Sequence, residues 1–480
     1  MRAILVGLLA ASFVLAGCAS TTPNDSATGT EDPSSVVGQA GPSYNGPGNL
    51  FAGPALYADP QNTPHPAYNW PTLSHPAVGD NVPKYWAPSQ SLDLPTSFSD
   101  IALVKQTPGV GSGAGIGLFG SLAVVPGYGA PSYTVDISDP TNPTVLGTFE
   151  SQLGDHRGAT VIAYPTGRLV TVISTGSGLD VYDITDPTAP KPLTPVEVPS
   201  HKVGVIPGTP FVYNARSDGG NGGLAPGPGN IDPARAIGII DMYDFSDPEN
   251  VITLPAFENG YGCHHVYFWN NVEQEKFRGI CAGIEYTQIF DTADPANPVL
   301  IVSVPYGHGM AGLPSGSASI AAFSHYAGLS VDGTILLVGD EMGGGLGPIG
   351  CTAAVDTPAG RVGPPLGAVW FYDITTETDP QLVGWVSASQ LEKAGVDGAM
   401  ASCTAHHGRL IPVPGRDVLA MSFYGAGVVV VDFTALKEGP GLTEVVAQFA
   451  DNSNTWETWF YNGYLYTGDL NRGMDVLKFV

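Results

Sequence analysis

The stretch DVYDITDPTAP at residues 180–190 decides the fold, because copies of it recur along the chain. Clear copies are YTVDISDPTNP at 133–143, DMYDFSDPENV at 241–251 and TQIFDTADPANP at 287–298. Weaker copies are WFYDITTETDP at 370–380 and VVVDFTALKEG at 429–439, and the chain ends on MDVLKFV at 474–480. Aligned on the central Asp, which is replaced by Lys478 in the last segment, these segments define seven units, the shortest about 46 residues long. Self-similarity at such a period is typical of repeat architectures.

Each unit carries the pattern of a four-stranded sheet. The aligned residue ends an alternating apolar segment, and Pro then breaks the strand because it donates no ladder hydrogen bond. One further hydrophobic strand precedes this segment, as at Leu169 to Ser174, and another follows it, as at Val145 to Phe149. With a short leading strand, the unit has the size of a propeller blade. The aligned Asp residues are expected to cap turns rather than to do chemistry.

We therefore predict an all-β fold, a seven-bladed β-propeller of four-stranded antiparallel blades. The seventh unit ends after its third strand, whereas an unassigned strand, Ile101 to Lys105, precedes the first unit. An N-terminal strand that joins the last blade would close the ring and remove an exposed edge.

The composition of the chain excludes one class of partner. It has 44 acidic and only 18 basic residues among 480, for a net charge of −26. Nucleic-acid binding needs a basic surface, so no nucleic-acid partner is expected. A cation or a neutral ligand is favoured instead.

The N-terminal segment predicts export and lipid anchoring. Residues 1–17 have the layout of a signal peptide, and Leu15-Ala16-Gly17-Cys18 resembles the bacterial lipobox, in which the Cys is lipidated. An ordinary signal peptide with a chance Cys18 is the alternative. Residues 18–48 are predicted to be a disordered tether, 49–98 a Pro- and aromatic-rich wrapping segment, and 99–480 the propeller. The expected location is extracytoplasmic, with the protein anchored by lipid to a bacterial membrane at the outer membrane, periplasm or cell surface.

The phrases VYDITDPTAP and YTVDISDPTNP resemble the LVIVD-repeat family of surface β-propellers, whose blades carry an LxIxDxSDPxxP signature. The resemblance covers about residues 100–480 and weakens in the fifth to seventh copies. It implies a surface location and the propeller fold. It implies no particular activity.

Histidines recur at the start of the first strand in five units. The predicted metal ligands are His156, His201, His265, His325 and His407, with His264 and His406 beside two of them. A first strand is innermost in a propeller, so these residues should ring the channel. Carboxylates and one Arg in loops on the same face form the expected rim: Glu285, Asp340, Glu341, Asp469 and Arg472. Imidazoles rimmed by carboxylates suit copper or zinc, whereas repeated structural histidines are the alternative.

The remaining cysteines favour disulfides in an exported protein. Cys263–Cys281 and Cys351–Cys403 are the predicted pairs, and Cys263 as a metal ligand is the alternative. The glycine pattern at 115–120 matches a dinucleotide fingerprint but lacks the strand before it and the helix after it.

Two functional hypotheses follow. The first is a cell-surface or periplasmic binding or scaffold protein, which takes a protein, glycan or small-molecule ligand on its histidine-bearing face and can hold a metal there. The second is an extracytoplasmic copper-type oxidoreductase that uses the same histidine ring. The sequence favours a binding protein over an enzyme.

Overall fold

The structure is a computed structural model that describes residues 95, 97–216, 239–258, 263–283, 286–305, 324–341, 367–386, 403–411, 413, 415–441, 443–461 and 463–480. The predicted signal peptide, Cys18, the tether and nearly all of the wrapping segment lie outside these residues, as do Glu285 and Cys351. The described part of the chain is all-β and contains one short 3₁₀ helix, Thr434–Glu438. None of its helices is long and apolar enough to cross a membrane.

Seven antiparallel sheets form the predicted seven-bladed β-propeller. The N-terminal strand β1 (Ile101–Gln106) precedes the first sheet, which consists of β2 (Gly117–Phe119), β3 (Leu122–Val125), β4 (Ser132–Asp136) and β5 (Thr144–Phe149). The second sheet consists of β6 (Gly158–Ala163), β7 (Leu169–Ser174), β8 (Gly178–Asp183), β9 (Lys191–Pro192) and β10 (Val196–Glu197). The third consists of β11 (Lys202–Val205), β12 (Phe211–Ala215), β13 (Ile239–Asp244), β14 (Ile252–Thr253) and β15 (Phe257–Glu258). The fourth consists of β16 (His265–Asn271), β17 (Lys276–Gly283), β18 (Tyr286–Asp291) and β19 (Val299–Pro305).

The last three sheets follow the same pattern. The fifth consists of β20 (Ser324–Leu329), β21 (Ile335–Asp340), β22 (Val369–Asp373) and β23 (Gln381–Val386). The sixth consists of β24 (Gly408–Ile411), β25 (Val418–Ser422), β26 (Val428–Asp432) and β27 (Glu444–Phe449). The seventh consists of β28 (Thr455–Tyr461), β29 (Tyr464–Asp469) and β30 (Gly473–Phe479), with β1 as its fourth strand. Ile101 of β1 lies opposite Phe479 of β30, so both ends of the propeller sequence share one sheet.

The hydrophobic core lies between neighbouring sheets. Each of the seven sheet junctions holds one cluster of buried apolar side chains. The junction between the seventh and first sheets, for example, packs Val476 and Tyr466 against Leu118 and Ala123. The first strands of successive sheets also adjoin one another, as β11 does with β6 and β16, and this brings their starting residues to one end of the central channel.

The aligned Asp residues cap turns, as the sequence predicted. In six units the side chain of this residue accepts a hydrogen bond from the backbone N–H two positions on, over 2.7–2.9 Å. The six residues are Asp136, Asp183, Asp244, Asp291, Asp373 and Asp432. Such Asx turns end one strand and direct the chain into the next, so the repeated Asp is a folding signal.

The fourth sheet is covalently tied at its inner edge. Cys263, two residues before the start of β16, forms a disulfide with the buried Cys281 of β17. The predicted first disulfide is therefore present, and Cys263 is not a free metal ligand. Cys403 is also disulfide-bonded, while its predicted partner Cys351 lies outside the described residues.

We expect the double substitution Cys263→Ala/Cys281→Ala to lower the free energy of unfolding by about 3 kcal/mol. The bond joins residues 18 apart, and closing a loop of that size removes about this much conformational freedom from the unfolded chain. Urea unfolding with and without reductant measures the effect. An unfolding midpoint that is unchanged by the substitution would contradict the expectation.

Candidate metal centre

Six histidines gather at one end of the central channel. His201 directly precedes β11, His265 begins β16, His325 is the second residue of β20, and His407 directly precedes β24, with His264 and His406 one position earlier than their neighbours. All but His201 have side chains that are nearly inaccessible, and the rings pack against one another. The ring centroids of His201 and His264 lie 3.7 Å apart, and those of His325 and His406 4.2 Å apart.

His325, His406 and His407 form the tightest group. Each offers one ligand atom, and these atoms lie within 4.8 Å of one another. His406 Nδ1 contacts the carbonyl oxygen of Trp456, and His325 Nδ1 lies 3.4 Å from the carbonyl oxygen of His406. A ring N–H that donates to a carbonyl leaves the lone pair on the other nitrogen, Nε2. Metal-binding histidines are commonly oriented by such a hydrogen bond.

The contacts of His407 also favour a free lone pair on Nε2. Its Nδ1 lies 2.8 Å from the Tyr267 hydroxyl and 3.1 Å from His265 Nδ1. A proton on His407 Nδ1 can be shared between these two acceptors. Nε2 then carries a lone pair, and this atom is buried without a hydrogen-bond partner among the described residues. Because an unpaired buried acceptor is costly, its retention points to a ligand.

A buried carboxylate faces the same histidines. Glu341, directly after β21, places its carboxylate 3.3 Å from His325 Nε2 and 3.5 Å from His406 Nε2. His264, His325 and Glu341 form a second group of three candidate ligands. Burial raises the pKa of Glu341 to about 8, against the hydrogen bond from Tyr424, which lowers it. A cation bound at this place would favour the ionised carboxylate.

Tyr424 is held in an unusual backbone conformation beside the cluster. Its φ is +45°, which bulky residues rarely adopt. Two backbone hydrogen bonds with Thr455, of 3.0 and 3.2 Å, keep it there, and its hydroxyl donates to Glu341. Backbone strain of this kind concentrates at functional sites.

The cluster histidines are neutral in the folded protein. Burial, with smaller contributions from charged neighbours, lowers the pKa of every one of them, and that of His325 to about 3. Neutral imidazole is the form that binds zinc and copper.

We expect the chelator-treated protein to lose stability as the pH falls below the ordinary histidine value of 6.5. Between that value and the lowered folded-state pKa, the unfolded state binds more protons, so the free energy of unfolding falls with decreasing pH. Each histidine that stays neutral contributes about 1.4 kcal/mol per pH unit. Urea unfolding between pH 7.5 and 5, compared with His325→Gln, tests this. Equal slopes for the two proteins would contradict the expectation.

His156 does not share the contacts made by the histidines of the other four units. Its Nε2 is 2.8 Å from the buried carboxylate of Asp180, and its Nδ1 contacts the Ser132 hydroxyl at 2.5 Å. It belongs to neither group of candidate ligands. The contacts of His156 therefore fit a structural role, which was the alternative to metal binding for the repeated histidines.

The expected rim is only partly brought to the cluster. Glu341 contacts it directly. The buried Asp340 accepts a hydrogen bond from the backbone of Gly367 over 2.7 Å. Asp469 accepts hydrogen bonds from backbone N–H groups of its own turn, and Arg472 pairs with Asp475 at 2.6 Å. Glu285 lies outside the described residues.

Sequence reasoning did not select His264, His406 or Tyr424. The first two were visible as neighbours of chosen histidines, since HisHis pairs occur at 264–265 and 406–407. Tyr424 lies two residues after β25 and Glu341 one residue after β21, so the loop that predicted the rim was a usable signal for Tyr424 as well.

A buried charge cluster adjoins the histidines. Lys202 Nζ and Glu457 Oε2 form an ion pair of 2.8 Å, and Arg409 lies 3.5 Å from the same carboxylate. Trp459 Nε1 also donates to Glu457 over 3.0 Å. Burial opposes ionisation of Glu457, but Lys202 and Arg409 outweigh it and hold the pKa of this carboxyl below its ordinary value.

Comparison with known proteins does not assign this chain to a family. No protein-family model matches the chain, and no curated protein matches it. The chain is thus shown to be a seven-bladed β-propeller with a histidine cluster that could hold a metal.

Proposed function

We propose that this protein is an exported, lipid-anchored β-propeller that holds a divalent transition metal at His325, His406 and His407. The observation that carries the proposal is the convergence of three buried, neutral imidazoles. Two of them have Nδ1 directed at backbone carbonyls, and His406 and His407 each have a buried Nε2 without a hydrogen-bond partner among the described residues. Glu341 supplies a carboxylate beside them, so the site can balance part of the charge of the ion.

Zinc and copper are the metals that suit this donor set. Nitrogen from imidazole and oxygen from a carboxylate match both ions, whereas magnesium and calcium prefer all-oxygen sites. The net charge of −26 also favours the approach of a cation. Metal analysis of protein purified from its native compartment tests the proposal. Metal-free protein that gains no thermal stability from zinc or copper would overturn it.

Export and anchoring rest on the N-terminal sequence. The signal-like residues 1–17 and the lipobox-like Leu15 to Cys18 support them, and the LVIVD-like repeats support a place at the cell surface. There the protein acts as a binding or scaffold protein for a protein, glycan or small molecule on its histidine-bearing face.

We expect Cys18→Ala to release the protein from the membrane fraction, because the lipid is attached to this side chain. Cell fractionation with immunoblotting measures the effect, and Cys403→Ala is a control that leaves the lipobox intact. Unchanged membrane association of the Cys18 variant would count against a lipoprotein.

A copper-type oxidoreductase is the second candidate. Aromatic rings lead from the cluster to the surface: His406 and Trp456 have centroids 4.7 Å apart, and Trp456 lies 5.5 Å from Tyr128, which is 38% exposed. Such a row of rings suits electron exchange with a buried redox metal. Copper in the purified protein would favour this candidate, and zinc alone would exclude it.

A further inference from the structure

The central channel holds a cavity of about 110 Å³ beside the histidine cluster. First strands of six of the seven sheets line it, namely β2, β6, β11, β16, β24 and β28. His265 and Tyr267 stand at one end, and both contact His407. The cavity therefore ends one layer of side chains away from the candidate metal ligands without including them.

Arg409 is the one fully charged side chain among the described residues that line this cavity. Its guanidinium lies over the ring of Trp459, at 4.0 Å from the centroid, and of Tyr267, at 5.0 Å. The rings cover the faces of the guanidinium. Its edge donates to the carbonyl oxygen of Gly408 over 3.1 Å and lies 3.5 Å from Glu457, and its other N–H groups are the place for further hydrogen bonds. A planar guanidinium held in this way is suited to bind a carboxylate with two N–H groups.

The charges at Arg409, which is 12% exposed, and at the buried Lys202 and Glu457 do not balance. Among the described residues, Glu457 is the one carboxylate within ion-pair distance of either Arg409 or Lys202. Its shorter contact, 2.8 Å, is with Lys202, whereas Arg409 is 3.5 Å away. Buried charges are normally paired. The local excess of one positive charge points to an anionic ligand of single charge, in contrast to the net charge of −26 of the whole chain.

The rest of the cavity wall consists mostly of apolar side chains, with Thr160 and Thr209 as polar members. Phe119, Val161, Val205 and Phe268 contribute to it, and Pro207 to Thr209 line it after the end of β11. An inorganic anion would leave this wall in contact with water. An anion with a hydrocarbon chain would bury it, and each buried CH₂ group should strengthen binding about fourfold.

We propose that the cavity binds a short aliphatic monocarboxylate, with the carboxylate on Arg409 and the hydrocarbon chain along the apolar wall. Two hydrogen bonds from the guanidinium fix the head group, and the excess positive charge is neutralised. The site is distinct from the metal centre, and binding needs no metal.

Calorimetric titration of chelator-treated protein with butyrate tests the proposal. We expect saturable binding to the wild type, at least about tenfold weaker binding to Arg409→Gln, and intermediate binding to Arg409→Lys, which keeps the charge but not the planar fork. Arg416→Gln is the matched control, since Arg416 pairs with Asp432 at 2.5 Å away from the cavity and should leave binding unchanged. Circular dichroism checks the fold, and if Arg409→Gln does not fold, Arg409→Lys decides.

Comparison of butyrate with acetate and nitrate tests the specificity of the cavity for a carboxylate with a hydrocarbon chain. Acetate should bind more weakly than butyrate, and nitrate more weakly still, because each buries less hydrocarbon. Nitrate binding as tight as butyrate binding would overturn the carboxylate assignment. Absence of butyrate binding to the wild type, or undiminished binding to both Arg409 variants, would overturn the site itself.

Discussion

His407→Ala should weaken zinc or copper binding by at least about 100-fold. Loss of even an outer partner of a metal ligand typically costs 10–100-fold in affinity, and His407 supplies a donor atom itself. Its Nε2 is buried without a hydrogen-bond partner among the described residues, so no other described contact competes for the lone pair. We expect His325→Ala and His406→Ala to behave similarly, because each removes one of the three ligand atoms.

Competition titration with a chromophoric chelator measures these affinities. His156→Gln is the matched control, since His156 is equally buried but contacts Asp180 and Ser132 instead of the cluster. It should bind metal like the wild type. Equal affinity in the wild type and all three cluster variants would contradict the proposed site, as would a larger loss in the control than in the cluster variants.

Glu457→Gln should lower the free energy of unfolding by about 3–5 kcal/mol. Lys202 and Glu457 are both buried, with side chains 4% and 3% exposed. Removing one partner of a buried ion pair leaves an uncompensated charge, and this costs far more than the intact pair contributes. Arg409 loses its carboxylate as well, so two cations remain in the channel.

Urea unfolding measures this effect, and a double variant separates charge from packing. Lys202→Met/Glu457→Gln removes both charges and should recover much of the lost stability. Glu249→Gln is the surface control: its partner Arg168 lies 2.7 Å away, but Glu249 is 53% exposed, so about 1 kcal/mol or less is expected. A Glu457→Gln protein as stable as the Glu249→Gln protein would contradict the expectation.

Much of the fold followed from local patterns. The Asp-Pro turns recur because each unit must end a strand and reverse the chain, and both needs are met within a few residues. Six aligned Asp residues indeed accept the predicted backbone hydrogen bonds. The pairing of Cys263 with Cys281 was likewise predictable, because it lies within one hairpin.

Only part of the candidate site could be predicted from the sequence. A histidine at the start of a first strand predicts a position near the channel, and His201, His265, His325 and His407 adjoin their strands in this way. His156 is two residues before β6, and its ring turns to Asp180 on the third strand of its own sheet. The approximate position of a histidine relative to its strand can be estimated from the sequence, but the direction of its ring cannot.

The sequence by itself thus determined the number of blades, their turns and the end of the channel where histidines collect, because these depend on contacts between residues close along the chain. The tertiary structure alone decided which side chains meet. His325 and His407 are brought together from different sheets, Glu457 reaches Lys202 across 255 positions of sequence, and Tyr424 meets Glu341 across 83. Such contacts depend on how seven sheets pack around one axis. The relative positions of the sheets result from the twist and offset of every sheet together, and no single repeat encodes them.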